Sequence, residues 1–322
     1  MGKGGYNTPY DDVFRTLSVK CPELLIPLIN ELFQVHHPEN EKIVLLQNEH
    51  FIQGRDGRTQ ERITDGSYLI GEEEAHYHIE CQSWPDRSIL VRVFEYDAQM
   101  ALERSTLERE TLEITFPHSA VLFLRHDTHT PETMKVSIKT PGGEVSYDVK
   151  VMKIKQYSLE EIKRKKLLFL IPFYIFCYED EFERIETDGQ KLEALLHQYR
   201  EICDWLEHLS RTHKIDEFIR CSILDMSKKV ADAVTKKHEN IRKGVEHIMG
   251  GKVLDYEASD ILNRGIEQGI EQGIEQGIEQ VICALIENCR EFNCSLADTE
   301  ERVQKKFGVS RERAKELVEK YW

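Results

Sequence analysis

The 322-residue chain lacks any run of about twenty apolar residues, the length that a membrane-spanning helix needs. Its longest apolar run, Leu167 to Phe176, is too short for a span and contains Pro172. The first residues include no apolar signal region, and position 6 holds Tyr rather than the Ser or Thr expected for myristoylation. We therefore expect a cytoplasmic protein with no membrane partner.

Cysteine and histidine patterns that bind metal are also missing. The eight cysteines are scattered without a CxxC pair, and the thirteen histidines include no HExxH motif and no cluster with ligand spacing. This spacing argues against a disulfide scaffold and against a zinc site, and it predicts reduced thiols.

Positive charge is scarce too, since 43 basic and 58 acidic residues give a net charge of −15. This balance counts against a protein that coats DNA, because non-specific affinity comes from phosphate neutralisation. It does not exclude DNA as a partner, because a local basic face can bind a DNA backbone, and a metal site needs acids. The candidate basic face is Lys163, Arg164, Lys165 and Lys166; the alternative interpretation is an exposed helix end.

What the chain does contain is a hairpin pattern with acids at one end. Residues 65–70 and 75–80 flank Gly71-Glu72-Glu73-Glu74, a plausible four-residue connection. In that register position 70 faces 75, and Asp65 faces Glu80. One predicted face is apolar and holds Gly66, Tyr68, Ile70, Ala75, Tyr77, Ile79 and Cys81. The other is polar and holds Asp65, Ser67, Leu69, His76, His78, Glu80 and Gln82.

The two opposed acids indicate a cation site. Side chains directly opposite each other have Cβ atoms about 4.5–5.5 Å apart, and like charges there are destabilising. A Mg²⁺ ion, which one or two carboxylates commonly hold, would remove that repulsion. Gln82 lies on the same face, where its amide can orient a metal-bound water. The alternative is a solvated strand face of no consequence, and we interpret His76 and His78 as bystanders rather than zinc ligands.

The order Asp65, fourteen residues, then Glu80-x-Gln82 resembles the PD-(D/E)xK nuclease core, with Gln82 in place of the usual Lys. More narrowly, the chain resembles the family of recombination-promoting nucleases (Rpn) and related transposases. The further matching features are Asp11-x-x-Phe14-Arg15, then Asp86, Arg92 and Tyr96, and a tail of Gly-Ile-Glu-Gln repeats. The similarity covers roughly the first two thirds of the chain and the tail.

This resemblance implies a metal-dependent DNA endonuclease linked to recombination or mobile elements. It implies that Asp65 and Glu80 hold Mg²⁺ or Mn²⁺, that Gln82 completes the catalytic set, and that DNA is the partner. It also suggests supporting roles for Asp11, Arg92 and Tyr96. The alternative is a non-catalytic DNA-binding or defence-type interaction protein that keeps the nuclease fold and oligomerises through its tail.

Periodicity gives the remaining elements and the fold class. We predict a helix over 11–34 interrupted near Cys21-Pro22, a strand over 42–54, a helix over 87–107 capped by Asp86 with Leu107 facing the core, a strand over 119–124, a hairpin of 133–139 with 144–152, helices over 190–211 and 215–236, and two short helices within 296–321. The predicted class is α/β. A PD-(D/E)xK restriction-endonuclease-like core with a mixed sheet flanked by helices occupies 1–175, a helical region 176–254 and a helical tail 255–322.

The tail contains four copies of Gly-Ile-Glu-Gln over 265–280. Isoleucine at every fourth position gives an apolar stripe, and glycine at every fourth position lets another backbone approach. We therefore expect a helix that pairs with its own copy, which makes the protein a homo-oligomer through 265–286. A flexible linker is the alternative.

Overall fold

The computed structural model describes residues 8–46, 49–53, 59–84, 86, 88–250, 285–286, 289–290, 295–307 and 311–322. The chain divides into two compact units, Met1–Leu254 and Asp255–Trp322. The Gly-Ile-Glu-Gln repeats at 265–280 lie outside the described residues. Within the described residues, no helix is long and apolar enough to cross a membrane.

Ten strands are described, all in the first unit. They are β1 (Ile43–Leu45), β2 (Glu49–Gln53), β3 (Thr59–Ile63), β4 (Gly66–Ile70), β5 (Ala75–Gln82), β6 (Thr106–Glu108), β7 (Thr111–Glu113), β8 (His118–Phe123), β9 (Thr133–Thr140) and β10 (Gly143–Lys153). Six form one sheet in the order β1-β4-β5-β8-β10-β9, while β2–β3 and β6–β7 are separate hairpins. The sheet is mixed, because β8 runs parallel to both β5 and β10 and the other pairs are antiparallel.

Eight α-helices are described in the first unit and two in the second. They are α1 (Pro9–Lys20), α2 (Leu25–Phe33), α3 (Ile89–Glu103), α4 (Leu159–Arg164), α5 (Phe182–Thr187), α6 (Gly189–Arg211), α7 (Glu217–Val234), α8 (Glu239–Gly250), α9 (Leu296–Phe307) and α10 (Arg311–Tyr321). Short 3-10 helices cover Pro22–Leu24 and Ile154–Gln156, and a longer one covers Leu168–Glu181. Pro22 breaks the first predicted helix into α1 and α2, as expected from its missing N–H.

Helices cover both faces of the sheet, which confirms the predicted α/β class with a flanked mixed sheet. On one face, α1 contacts β5 and α2 contacts β8 and β10, beside buried strand residues such as Tyr68, Ile79 and Leu122. The 3-10 helix Leu168–Glu181, α6 and α7 extend the same apolar core, and α7 packs against α1 and this 3-10 helix. On the other face, Ile89 and Val93 of α3 pack against Val121 and other residues of β8, β9 and β10. The predicted boundary after residue 175 falls inside the 3-10 helix Leu168–Glu181.

Three local predictions are wrong. The single strand over 42–54 is two strands, and β2 pairs with β3 rather than joining the main sheet. Leu107 does not face the core, because α3 ends at Glu103 and Leu107 lies in the small β6 strand, 72% exposed. Asp86 is not the N-cap of α3; Ser88 holds that position, and the Asp86 carboxylate accepts a hydrogen bond from the Ser88 amide.

Candidate active site

The β4–β5 hairpin has the register predicted from its loop. Ile70 pairs with Ala75 and Gly66 pairs with Ile79, which confirms the predicted pairing and brings Asp65 opposite Glu80. The Asp65 amide donates to Glu80 Oε1 at 3.2 Å, and Asp65 Oδ2 accepts a hydrogen bond from the Cys81 amide at 2.9 Å. The two carboxylates therefore lie together at the end of the hairpin.

Both acids are buried rather than solvated. Asp65 is 7% exposed and Glu80 is 3% exposed, so the interpretation of this strand face as solvent-exposed is wrong. Burial, the Glu80 charge and the Asp11 charge all raise the pKa of Asp65 well above its ordinary value, although the Cys81 amide and Arg15 act in the opposite direction. A raised carboxyl pKa beside a second acid is typical of sites that bind cations or transfer protons.

His78 connects Glu80 to a second buried acid, Asp97 of α3. The imidazole Nε2 lies 3.1 Å from Glu80 Oε1, and Nδ1 lies 2.7 Å from Asp97 Oδ1; His78 and Asp97 are both fully buried. Asp97 also accepts hydrogen bonds from Ser119 Oγ at 2.7 Å and from the Tyr147 hydroxyl at 2.8 Å. His78 is therefore not a bystander, since it holds the Glu80 carboxylate in place.

This network changes the charge of His78. Burial alone would lower the pKa of the imidazole, but the hydrogen bonds and charges of Asp97 and Glu80 outweigh burial and raise that pKa to about 9. His78 is consequently an imidazolium at neutral pH, and both of its ring N–H groups donate to carboxylates.

The Gln82 side chain is held at both ends of its amide. Its Oε1 accepts a hydrogen bond from Arg92 Nη2 at 2.7 Å, and its Nε2 donates to the Trp84 carbonyl at 2.6 Å. The same Arg92 nitrogen lies 3.6 Å from Glu80 Oε2, and the Arg92 side chain is 34% exposed. A partly exposed guanidinium therefore lies beside both the Gln82 amide and the Glu80 carboxylate.

Helix α1 approaches the acids from the other side. Arg15 Nε lies 3.6 Å from Asp65 Oδ1. Asp11 closes a capping box at the start of α1, where its carboxylate accepts a hydrogen bond from the Thr8 amide. Burial is the main cause that raises the pKa of Asp11, and the Glu80 charge adds to the rise. Asp11 therefore caps the helix and contributes negative charge near the acid pair.

Gly66 allows this close packing between β4 and α1. A Cβ at position 66 would lie 1.8 Å from the Tyr68 hydroxyl, which is hydrogen-bonded to Ser18 Oγ of α1 at 2.9 Å. A larger residue at 66 would displace this buried tyrosine, so the residue next to Asp65 must be small.

The remaining predicted site residues are Tyr96, which contacts His78, and the basic cluster at 163–166. Tyr96 is buried, and its ring makes an edge contact with the His78 ring at 6.0 Å between centroids. In the basic cluster, Lys163 pairs with Glu201, Lys165 with Glu31 and Lys166 with Glu39. These ion pairs leave the cluster with less free positive charge than its sequence indicates.

The acid pair fits a Mg²⁺ or Mn²⁺ ion in its donor chemistry. It offers two buried carboxylates, and Mg²⁺ is commonly bound through one or two carboxylates with water and phosphate oxygens completing its shell. The contacts of Arg15 Nε with Asp65 Oδ1 and of Arg92 Nη2 with Glu80 Oε2, both at 3.6 Å, have the length of ion pairs rather than of hydrogen bonds. Across the residues that the structure describes, no group of three His, Cys, Asp or Glu side chains has metal-binding geometry.

Sequence reasoning missed the role of His78 and Asp97. A usable signal was present, because Asp97 lies four residues from Val93 and from Ala101, both fully buried on the inner face of α3. A charged residue in such a position requires buried partners. Comparison of the chain with protein-family models, with curated proteins and with solved structures found no match.

Proposed function

We propose that the protein is a metal-dependent DNA endonuclease with a PD-(D/E)xK-type core. The observation that carries this proposal is the pair of buried acids Asp65 and Glu80 at the end of a hairpin, where the Asp65 amide donates to the Glu80 carboxylate and the Glu80 charge raises the pKa of Asp65. Burying two acids side by side opposes folding unless a bound cation or a shared proton offsets the repulsion between their charges. The order of Asp65, Glu80 and Gln82 in the sequence, which resembles the nuclease motif, supports the same conclusion.

In this proposal Asp65 and Glu80 hold Mg²⁺ or Mn²⁺. When bound, the metal lowers the pKa of a coordinated water and offsets charge on the phosphate. His78 and Arg92 orient the Glu80 carboxylate, and the Cys81 amide orients that of Asp65. These contacts fix the side chains before the ion and the DNA arrive, so less ordering is needed on binding.

Arg92 supplies the positive charge that Gln82 lacks. The Gln82 amide is fixed by Arg92 and by the Trp84 carbonyl, so it positions the guanidinium rather than acting as a base. Arg92 is exposed enough to reach a phosphate, and a guanidinium matches phosphate oxygens geometrically. We therefore assign Arg92 to the DNA backbone beside the acid pair.

Assembly through 265–286 remains part of the proposal. Four Ile residues per chain, each worth roughly 1.5–3 kcal/mol when fully buried, could offset the glycine cost of a paired repeat helix. Deleting 265–280 should shift the mass measured by light scattering toward the monomer and leave the first unit folded. A full-length protein that is already monomeric at micromolar concentration would contradict this part.

A second function is favoured by one specific observation. Arg15, Arg92 and His78 already place positive charge around the two acids, so the site can be balanced without a metal. This arrangement suits a non-catalytic protein that keeps the nuclease fold and binds DNA. Cleavage assays separate the two functions.

The test is cleavage of supercoiled plasmid and linear DNA with Mg²⁺, with Mn²⁺ and with EDTA. Asp65→Asn and Glu80→Gln should each reduce cleavage by more than the roughly 10- to 100-fold typical of losing a side chain that only orients a ligand. Glu73→Gln, in the exposed loop of the same hairpin, is the matched control and should cleave at the wild-type rate. Cleavage that survives EDTA, or equal rates in wild type and Asp65→Asn, would overturn the proposal.

A further inference from the structure

Trp84 is an exposed aromatic residue next to the candidate active site. It follows the end of β5, and its side chain is 63% exposed. Among the large hydrophobic residues that are exposed in the described part of the chain, it is the only aromatic one. An exposed indole in a chain whose other described aromatic rings are at least partly buried calls for a physical explanation.

The Trp84 ring packs against the guanidinium of Arg125, which hydrogen bonds hold in position. The Arg125 guanidinium lies 4.4 Å from the indole centroid and is 12% exposed. Arg125 Nε and Nη2 each donate to Glu179 at 2.6 Å, and Nη1 donates to the Ser83 carbonyl at 3.1 Å. Because each of its three nitrogens donates a hydrogen bond, the guanidinium is held in position, and it supports one face of the indole. The opposite face accounts for the exposure of the ring.

Two contacts connect Trp84 and Arg125 to residues around the acid pair. The Trp84 carbonyl accepts the hydrogen bond from Gln82 Nε2 at 2.6 Å, and Gln82 contacts Arg92. Arg125 also lies 5.5 Å from the ring centroid of Tyr10, the residue that precedes Asp11. Trp84 thus lies two residues after Gln82 and is joined to it by a hydrogen bond, and Gln82 contacts the Arg92 that we assign to the DNA phosphate.

We propose that Trp84 is a stacking platform for an unpaired base of the DNA strand whose backbone Arg92 contacts. The proposal rests on the proposed function. A flat aromatic ring with one supported and one open face binds nucleobases of any sequence, because each base has a π-face. In an uninterrupted duplex both faces of each base are already stacked. The platform therefore favours single-stranded or locally opened DNA.

The experiment measures binding rather than cleavage, on the full chain in EDTA. Fluorescence anisotropy compares a labelled oligothymidylate with an abasic oligonucleotide of the same length and backbone charge. Trp84→Ala should bind oligothymidylate at least about fivefold more weakly than wild type, from about 1–3 kcal/mol per stacked base, and bind the abasic strand equally well. Trp84→Phe should retain most of the affinity, and Leu107→Ala, an exposed apolar control, should change neither strand.

A second measurement leaves Trp84 in place. The chain has three tryptophans, so the variant Trp205→Phe with Trp322→Phe isolates the Trp84 signal. Oligothymidylate should quench this fluorescence, and the abasic strand should not.

Three results would overturn the platform: equal weakening of both strands by Trp84→Ala, no quenching of Trp84, or no binding of oligothymidylate by wild type. Failure of the nuclease proposal looks different, since quenching and base-dependent binding in EDTA would persist while no metal supports cleavage. Conversely, Trp84→Ala could bind oligothymidylate as well as wild type while metal-dependent cleavage is observed. That result would contradict the stacking proposal and support the nuclease proposal.

Discussion

Both faces of the β4–β5 hairpin are buried, but one face is covered by apolar packing and the other by hydrogen-bonded and charged partners. On one face, Ile79 is 0% exposed and packs in the main apolar core. On the other, His78 is also 0% exposed and Glu80 is 3% exposed, and both His78 ring nitrogens and Glu80 Oε1 have hydrogen-bond partners. Apolar burial is favourable by itself, whereas a buried charge is tolerated only with paired charges and hydrogen bonds. The polar face is therefore built for a purpose other than stability.

We expect the largest loss of unfolding free energy when the buried acid of the polar face, Asp97, is removed. Asp97→Ala removes the acceptor of His78, Ser119 and Tyr147. We expect a loss of about 3–5 kcal/mol in unfolding free energy, the range for leaving a buried charge without its partner. Urea unfolding measures it. Asp97→Asn, which keeps a carbonyl acceptor, should lose less, and a loss under about 1 kcal/mol in Asp97→Ala would show that the network does not stabilise the fold.

The next largest effect is on the pH dependence of stability, which should arise from His78 on the polar face and not from the apolar face. The folded pKa of His78, about 9, lies above its ordinary value of 6.5. The stabilisation is therefore fully present below pH 6.5 and is lost as the pH rises through 9. The stability difference between wild type and His78→Gln should shrink by about 3 kcal/mol across that range, at about 1.4 kcal/mol per pKa unit. A difference that stays constant with pH would contradict an imidazolium between Glu80 and Asp97.

The smallest effect comes from the apolar face. Ile79→Val removes one buried methylene group, and we expect a loss of about 0.5–1.5 kcal/mol. This loss should be the same at every pH from 6.5 to 9, because no titrating group changes its partner. Urea unfolding over that pH range provides the comparison for the His78 series. A pH-dependent loss in Ile79→Val would show that the two faces are not energetically separate.

The sequence predicts the parts of the site that lie close together along the chain. Alternation and the four-residue loop at 71–74 fix the register, and the register brings Asp65 opposite Glu80. The contacts of Asp97 with Ser119 and Tyr147 span 22 and 50 residues. Local periodicity carries no information about such contacts, because they depend on how α3 packs over the sheet.

The same limit explains the errors elsewhere. The apolar spacing of α3 continues to Leu107, but the helix ends at Glu103, and the small β6–β7 hairpin takes over. The ion pairs of Lys165 with Glu31 and of Lys166 with Glu39 join positions more than a hundred residues apart. A run of basic residues therefore predicts positive charge correctly but does not predict how much of that charge is free.

The central claim is that Asp65 and Glu80 are held together against their repulsion in order to bind a cation. Because the folded pKa of Asp65 is raised above its ordinary 3.8, the contribution of this carboxyl to folding is fully present only below pH 3.8. That contribution is lost as the pH rises through the folded pKa. At neutral pH, well above the ordinary value of 3.8, holding this carboxyl in its buried site therefore opposes folding, and the uncharged side chain of Asp65→Asn removes that opposition.

The most direct test is the melting temperature of wild type and Asp65→Asn at neutral pH, with EDTA and with Mn²⁺. In EDTA, Asp65→Asn should melt above wild type. Mn²⁺ should raise the melting temperature of wild type, because it binds the folded state, and leave Asp65→Asn unchanged. If Asp65→Asn melts below wild type in EDTA and both proteins respond equally to Mn²⁺, the acid pair is not a cation site.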